Sequence, residues 1–449
     1  MKRLSPSRLL NISMILIFLL LVLPLYVNRG VSDSLDHARD TGTVGGIDFK
    51  AYYIAADLMR RGQDFYDVEL QTQEVLAQGL PLNQSFYIYP PLLAIAFVPL
   101  TALSMQTAAQ LWFFVNLTLY GLSLAVISRA LRLDRLTRML PLLWVLAFLF
   151  PPALFTMYKG QVNILLLLLL ALTYWLYRKG RERMAGVALG LAVMIKIVPL
   201  LLLLYFLWKR RYVLSLAAIC TIIAIGALGL VIVGPGPHQT YIGEVIPLLA
   251  EPRPNPANQS LGGFLSLLLV ENAYTDHVVH SPGLWKALTW IFSLAFVLAA
   301  GAITRPSRTE GLRMELEVAL VIATMPLVAN IAWVDMFVLL LFPYAVLLNY
   351  LLIWRDSELT GRLGAHPDRR PRLRRALLAC VCASVVFVGS PRFLDLLAGF
   401  AGWQSWLTRN ALFLSLPFFG LLILWMSLAL ILTSPKGIPS SCRSPVPAR

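Results

Sequence analysis

The chain has 449 residues, of which 58% are hydrophobic and 14% are charged, and its mean hydropathy is +0.72. A soluble protein of this size exposes far more polar surface, so the composition excludes that class. Several segments approach the ~20 apolar residues that span a bilayer core, and runs such as 164–172 lack the alternation that a membrane β-barrel requires. We therefore predict an all-α, polytopic membrane protein with about ten transmembrane helices.

The net charge of +15 does not indicate a nucleic-acid partner. Lys and Arg cluster in short runs between hydrophobic segments, as the positive-inside rule expects of cytoplasmic loops. With the N-terminus in the cytoplasm, residues 9–27 are a retained first membrane helix, because no small-x-small cleavage site follows the apolar run. A long external loop, 28–90, comes next, and the short apolar piece 91–103 is re-entrant or lies at the interface.

One hydrophobic block needs a special interpretation. Residues 184–211 have basic groups at both ends and are interrupted by Lys196 and Pro199. We predict a broken hairpin of two half-helices that turns at Lys196 to Pro199. The alternative is a single crossing, which would place a strongly basic later loop outside the cell. The other predicted crossings are 106–130, 139–157, 162–177, 212–233, 285–304, 313–329, 336–354, 376–390 and 411–433.

This topology divides the chain into three parts. Residues 1–355 form the main transmembrane module, with external loops over 28–90 and 234–284. Residues 356–375 form a basic cytoplasmic loop, and 376–449 hold the last transmembrane helices and a polar tail.

The first external loop contains the stretch "GGIDFKAYYIAADLMRRG", residues 45–62. Apolar residues after Asp48 recur at helical spacing, which predicts an amphipathic helix over 49–62 on the membrane surface, with Lys50 on its polar side. Asp is a favoured N-cap, so capping alone accounts for Asp48. The functional alternative is a general base. The two interpretations are compatible, because a carboxylate at the positive end of a helix stays ionised.

Two further motifs place polar groups at the external side. In "FYIYPPLLAIAFVPL" the prolines force an extended segment at Tyr89, which is either a site residue or part of the interfacial aromatic belt. In "YKGQVNILLLLLL" Lys159 stands beside the amides Gln161 and Asn163. This set could bind an anionic or sugar-like group, and the structural alternative is a lysine that snorkels from a helix end.

Lys196 lies inside a hydrophobic block, where a charge usually marks a pathway or an anionic ligand. At a hairpin turn its natural partner is a phosphate or a carboxylate, and snorkelling is the alternative. Trp333 and Asp335 lie at the external mouth of a later helix. Asp335 could orient a sugar hydroxyl, pair with Lys196 or cap the helix. The histidines are scattered, so no dedicated metal site is predicted.

Six motifs in order resemble glycosyltransferase family 87: "IDFKAYYIAADLMRRGQDFYD", "YIYPPL", "GQVN", "AGVALGLAVMIKIVPLLLLLYFL", "NQSLGGFL" and "AWVDMFVLLLFP". The resemblance covers residues 10–350 and implies a GT-C fold and polyprenyl-phosphate-mannose donors. It assigns Asp48 as the catalytic Asp, Lys196 as the intramembrane Lys, and Gln161 with Asn163 as the GQxN pair. One departure is Asp335, which stands where many relatives have His.

The resemblance therefore implies an inverting hexosyltransferase of the plasma membrane, with its active site on the extracytoplasmic face and mannose as the family's default sugar. Asp48 would be the general base for a hydroxyl of a lipid or glycan acceptor. Lys196 with Lys159 would stabilise charge on the polyprenyl phosphate of the donor, so no obligatory divalent metal is expected. The rival interpretations are a multipass transporter or lipid flippase and a non-catalytic membrane scaffold. The remaining candidates form a donor-side set, Gln161, Asn163, Tyr89, Asp335 and Trp333, and an acceptor-side set, Tyr52, Tyr53 and Lys50.

Overall fold

Helices make up nearly all of the regular structure in the computed structural model. Within the residues it describes, the one β-type pairing is an antiparallel bridge between Asn258 and Trp333. Among the described residues, five helices are long and apolar enough to cross a membrane, or six if one bent pair counts as a single span. The predicted all-α, multi-pass membrane fold is confirmed, whereas the predicted number of crossings stays a prediction. The described residues are 13–24, 47–79, 85–133, 140–276, 278–306, 309, 311–353, 370–390 and 409–433.

The chain forms two compact units. The N-terminal unit consists of Met1–Ile197 and Leu216–Ala250, and the C-terminal unit of Val198–Ser215 and Glu251–Arg449. The predicted basic loop lies outside the described residues up to position 369, as do positions 25–46 and 80–84 of the first external loop. The predicted three-part division therefore stays a prediction.

Helix α1 (Ile47–Arg60) is enclosed by other parts of the N-terminal unit, and every residue from Asp48 to Ala56 is buried. This differs from the predicted amphipathic helix on the membrane surface. The physical reason is tertiary packing, because Lys50, which the pattern assigns to the polar side, is buried together with Ala51 and Ala55 by neighbouring elements. The elements in contact with α1 are α2 (Val68–Ala77), α3 (Pro91–Phe97), the 3-10 turn Val98–Ala102, α4 (Met105–Ala130) and α6 (Pro151–Lys159).

The predicted crossing 139–157 is a bent pair rather than one straight helix. Helix α5 (Leu140–Phe148) and α6 meet at an angle of 50°. The bend falls where Pro151 and Pro152 start α6, because proline cannot continue the hydrogen-bond ladder of a preceding helix. Helix α7 (Asn163–Arg178) follows after a short turn and packs against α4 and against α8 (Glu182–Ile195).

The predicted break at Lys196 is confirmed. Helix α8 ends at Ile195, Lys196 has an extended backbone with φ −148° and ψ 138°, and α9 (Leu200–Trp208) begins directly after Pro199. Proline disfavours helical geometry in the residue before it, which separates the two helices at this point. Helix α8 belongs to the N-terminal unit and α9 to the C-terminal unit. The hairpin that they were predicted to form, and the topology built on it, therefore stay predictions.

In the C-terminal unit, α13 (Leu312–Val328) is the most deeply enclosed of its long helices, and every residue from Met314 to Leu327 is buried. It packs against α9, α12, α14 and α16. Glu317 on this helix is fully buried and forms a 2.8 Å ion pair with Lys209, which is 1% exposed. Further helices of nine or more residues are α10 (Tyr212–Val233), which begins in this unit, α11 (Leu261–Leu269), α12 (Pro282–Thr304), α14 (Leu341–Ile353), α15 (Arg370–Val388) and α16 (Leu416–Thr433).

Candidate active site

Asp48 and Tyr52 lie on the same side of α1, because residues four apart are neighbours on a helix surface. Asp48 is buried, with 7% of the residue exposed, and its Oδ1 accepts a 2.8 Å hydrogen bond from the Ser85 hydroxyl. Since α1 begins at Ile47, Asp48 lies inside the first turn and not at the predicted N-cap position. A carboxylate in the first turn still benefits from the positive end of the helix dipole.

Gln161 joins α1 to the segment that carries Tyr89. The Tyr52 hydroxyl donates a 2.9 Å hydrogen bond to Gln161 Oε1. The Tyr89 hydroxyl lies 3.1 Å from the same oxygen and 3.0 Å from Gln161 Nε2. The two tyrosine rings meet edge to face, with 5.0 Å between their centroids. Three residues from three separate sequence motifs therefore form one buried hydrogen-bonded group.

Gly160 brings the turn before α7 against α1. It ends α6 in the left-handed conformation with φ 65°, and a Cβ atom at this position would lie 2.6 Å from Phe49 Cβ. Only glycine satisfies both the backbone angle and this close approach. Trp112 Nε1 also donates a 2.7 Å hydrogen bond to the Gly160 carbonyl. The glycine of the "GQVN" motif thus fixes where Gln161 meets Tyr52.

Lys196 contacts the same group from the break after α8. Its Nζ donates a 2.8 Å hydrogen bond to Asn163 Oδ1, and it lies 5.8 Å from the centroid of the Tyr89 ring. The second contact is within cation–π range. The structure therefore brings together five predicted site residues of the N-terminal unit, and their chemical roles stay predictions. The five residues are Tyr52, Tyr89, Gln161, Asn163 and Lys196, which we call the Gln161 cluster.

Residues that sequence reasoning missed hold the Tyr89 segment in place. The Tyr66 hydroxyl donates a 2.6 Å hydrogen bond to the Tyr89 carbonyl, and Gln71 Oε1 accepts 2.8 Å from the Tyr87 amide. Burial raises the pKa of the Tyr66 and Tyr87 phenols, so both stay neutral donors. Tyr66 lies in the Tyr-Asp end of the first motif, which was a usable signal. Ser85 and Gln71 carry no comparable signal.

The other acceptor-side and donor-side candidates of this unit have different surroundings. The Tyr53 hydroxyl donates a 2.7 Å hydrogen bond to the Leu103 carbonyl and thereby anchors α1. Lys50 is buried on α1, with 6% of the residue exposed, and burial lowers its pKa to about 8. Lys159 is half-buried at the last position of α6, two residues before Gln161.

Trp333 and Asp335 lie in the C-terminal unit. Asp335 is fully buried in the 3-10 helix Val334–Leu340, and Trp333 is bridged to Asn258. Asn258 Oδ1 also accepts a 3.0 Å hydrogen bond from the Ala332 amide. The predicted pairing of Asp335 with Lys196 would join the two units and stays a prediction.

The "NQS" residues 258–260, which belong to one of the six motifs, have their side chains occupied by the protein itself. Gln259 Oε1 accepts 3.0 Å from the Phe418 amide, and its Nε2 donates 2.7 Å to the Leu414 carbonyl. Ser260 Oγ accepts 2.9 Å from the Gly263 amide and so caps α11. We call residues 258–260, with their partners, the Asn258 brace.

The two sets differ in the chemistry they offer. Asp48 and the Gln161 cluster present a carboxylate, an ammonium, two amides and two phenols within one unit. Such groups bind hydroxylated and anionic molecules, and a carboxylate can accept a proton. Within the described residues no three His, Cys, Asp or Glu side chains are grouped as a metal site would require.

Residues 87–330, just over half of the chain, match the model of Glycosyltransferase family 87. The matched range contains Tyr89, Gln161, Asn163 and Lys196, whereas Asp48 precedes it.

Three curated proteins are similar to parts of this chain. An alpha-(1->3)-arabinofuranosyltransferase of Corynebacterium glutamicum is 28% identical over 228 residues, which are 50% of this chain and 51% of that protein. A polyprenol-phosphate-mannose-dependent alpha-(1-2)-phosphatidylinositol mannoside mannosyltransferase of Mycobacterium tuberculosis is 27% identical over 41% of this chain and 45% of its own length. The pentamannoside mannosyltransferase of Mycolicibacterium smegmatis is 30% identical over 37% and 38%. The matches therefore span about half of the relatives' lengths or less.

Among solved structures, ArnT from Cupriavidus metallidurans bound to undecaprenyl phosphate is 16% identical to this chain. Its TM-score is 0.41, and the alignment covers 92% of this chain and 77% of that chain. The apo form of the same protein gives a TM-score of 0.40.

Proposed function

Because the chain belongs to glycosyltransferase family 87, we propose that it transfers a hexose from a polyprenyl-phosphate sugar to a hydroxyl of a lipid or glycan acceptor. The observation that carries this proposal is the Gln161 cluster beside Asp48, which combines an anion-binding ammonium with a buried carboxylate. Family membership favours an enzyme over the transporter alternative. Two of the similar proteins are named as polyprenol-phosphate-mannose-dependent, which supports the donor class and mannose as the sugar.

Asp48 is the general base in the proposed reaction. It takes the proton of the acceptor hydroxyl while the hydroxyl oxygen attacks C1 of the donor sugar. The bond from C1 to the phosphate oxygen breaks on the opposite side, so the configuration at C1 inverts. The hydrogen bond from Ser85 fixes the orientation of the carboxylate through Oδ1. A positioned base of this kind contributes about 10²–10⁴-fold to the rate.

Lys196 stabilises the leaving group. The phosphodiester of the donor carries one negative charge, and the phosphate that leaves carries nearly two at neutral pH. A preorganised ammonium near the growing charge lowers the barrier. Asn163 holds the Lys196 ammonium in place, and Lys159 adds positive charge at the end of α6. With these cations the reaction requires no obligatory divalent metal.

We place the reaction on the extracytoplasmic face of the plasma membrane. The support is the distribution of Lys and Arg between the hydrophobic segments, which puts the loop that contains Asp48 outside. A polyprenyl tail would keep the donor in the bilayer, so the sugar reaches the site from the membrane surface.

The test is sugar transfer in membranes that contain the full chain. Asp48→Asn and Asp48→Ala should each reduce transfer from labelled polyprenyl-phosphate mannose by about 10²-fold or more. Asp57→Asn is the matched control, because Asp57 lies on the same helix and makes only surface ion pairs with Arg60 and Arg61. A parallel assay with polyprenyl-phosphate arabinose tests the sugar. Native activity in both Asp48 variants would overturn the assignment of the base.

A further inference from the structure

Four lysines in the described part of the chain are buried or half-buried, namely Lys50, Lys159, Lys196 and Lys209. Lys196 donates to Asn163 Oδ1 at 2.8 Å. Lys209 forms an ion pair with Glu317 at 2.8 Å and donates to the Thr304 carbonyl at 2.6 Å. Lys50 is as enclosed as Lys209, with 6% of the residue exposed against 1%. Within the described part of the chain, its ammonium makes neither a hydrogen bond nor an ion pair.

The nearby carboxylate does not fill this role. Lys50 and Asp48 are two residues apart on α1, and side chains at that spacing project from different sides of a helix. Asp48 is close enough to raise the pKa of Lys50 somewhat, but burial outweighs that effect and lowers the pKa to about 8. Asp48 instead accepts a hydrogen bond from Ser85. The Asp48 carboxylate and the Lys50 ammonium therefore point away from each other and do not form an ion pair.

An ammonium that is largely enclosed by protein and has no protein partner is unfavourable for the fold, so a bound anion is the natural reason for keeping one. The small exposed fraction of Lys50 includes its Nζ, so the ammonium is reachable from outside. An incoming anion can thus meet the charged tip while the aliphatic stem stays packed.

We propose that Lys50 binds the phosphate group of a substrate lipid and forms a second cationic subsite next to Asp48. This inference deepens the proposed function, since both substrate classes of that reaction can supply a phosphate: the polyprenyl phosphate of the donor and the headgroup of a phospholipid-type acceptor. The subsite is separate from Lys196, whose ammonium already lies against Asn163 and Tyr89.

The experiment measures binding, so it does not depend on transfer. The purified full chain in nanodiscs is titrated with undecaprenyl phosphate, with phosphatidylinositol and with undecaprenol, which lacks phosphate. Lys50→Met keeps the length of the side chain and removes the charge, whereas Lys50→Arg keeps the charge. Lys286→Met is the control, because Lys286 is an exposed lysine at the start of α12.

We expect Lys50→Met to weaken the binding of one or both phosphate lipids by about 10- to 100-fold, the range of a charge-assisted hydrogen bond. The affinity for undecaprenol should not change. Weaker binding of undecaprenyl phosphate assigns the subsite to the donor, and weaker binding of phosphatidylinositol assigns it to the acceptor. Native affinity of Lys50→Met for both phosphate lipids overturns the proposal. The outcome is separate from the fate of the Asp48 assignment, because the Lys50 experiment measures lipid binding and the Asp48 experiment measures sugar transfer.

Two further readings exclude a merely structural role. The melting temperature of Lys50→Met should equal or exceed that of the native chain, because removal of a buried charge relieves its desolvation; a lower value contradicts the proposal.

Binding of the phosphate lipid to the native chain should weaken as the pH rises through about 8, where Lys50 loses its proton. Binding to Lys50→Arg should not weaken over this pH range. Asp48 is the charged group that shifts Lys50, and the other titratable groups on elements packed against α1 are Glu69 and Glu74 on α2, Tyr120 and Arg129 on α4, and Tyr158 and Lys159 on α6.

Discussion

The Gln161 cluster and the Asn258 brace are both buried, polar and built from motif residues, yet they use their hydrogen bonds differently. In the brace, each side-chain nitrogen and oxygen of Asn258 and Gln259 bonds to a backbone group or a neighbouring side chain of the protein. In the cluster, the bonds join side chains to side chains and include an ammonium, and the Asp48 carboxylate on the same helix as Tyr52 also accepts from a side chain.

This difference distinguishes a structural set from the set that we propose to be reactive. Neutral amides that are satisfied by backbone groups stabilise a fold and have nothing left for a ligand. A lysine has three donors and a carboxylate about four acceptor sites, so charged groups in a hydrogen-bonded cluster can also engage a substrate. Motif membership alone would not have told the two sets apart.

The largest effect expected from a substitution in the Gln161 cluster is on the rate of sugar transfer, and it would sharpen the comparison with the Asn258 brace. Lys196→Met should lower the rate of sugar transfer by about 10²–10³-fold, the usual loss when one stabilising group is removed from a transition state. The melting temperature should change little, because Met keeps the apolar stem and relief of the desolvation of the charge offsets the loss of the bond to Asn163. Transfer is measured per folded molecule, with Lys179→Met, an exposed lysine, as the control. A native rate in Lys196→Met would mean that the cluster is structural as well.

A smaller effect, on stability, is expected in the brace. Asn258→Ala leaves the Ala332 amide without its acceptor and removes one hydrogen bond to the Asn330 carbonyl, which should lower the free energy of unfolding by about 2–3 kcal/mol. Transfer per folded molecule should stay near the native rate. Asn255→Ala is the control, because the side chain of Asn255 supports a local turn at Ala257. Thermal unfolding in detergent measures the stability, and a selective loss of transfer in Asn258→Ala would break the distinction.

The smallest effect concerns the contact that positions the cluster. Gly160→Ala and Gly180→Ala both put alanine into a left-handed backbone, at φ 65° and φ 71°, which costs about 1–2 kcal/mol. At Gly160 the new Cβ also meets Phe49, whereas nothing lies within 4 Å at Gly180. We expect Gly160→Ala to be less stable than Gly180→Ala by about 1–3 kcal/mol and to lose transfer in addition. Equal behaviour of the two variants would show that α1 tolerates displacement.

Much of this arrangement is predictable from the sequence. The crossing predicted over 106–130 is a helix at Met105–Ala130, and that over 212–233 is a helix at Tyr212–Val233. Continuous apolar runs and basic flanks determine such helices locally. The break at Lys196 follows from a charge and a proline in an apolar block.

The burial of α1 could not be predicted in the same way. Its partners lie up to 109 residues away, as the bond from Tyr52 to Gln161 illustrates. The local pattern contains Lys50 and two arginines and is typical of a surface helix. Tertiary contacts override that pattern. For the same reason Ser85 and Gln71, which act only through distant partners, carry no signal in the sequence.

The long separation between Tyr52 and Gln161 also sets an order of events during synthesis. At about 5–20 residues per second, the ribosome needs roughly 5–20 s to make the chain between α1 and the turn at Gly160. During that interval α1, whose residues Asp48–Ala56 are all buried in the finished protein, has no α6 or Gln161 to pack against. A chain truncated before Gly160 should therefore expose α1 to chaperones or proteases, and the Gln161 cluster assembles only after the α6–α7 turn has left the ribosome.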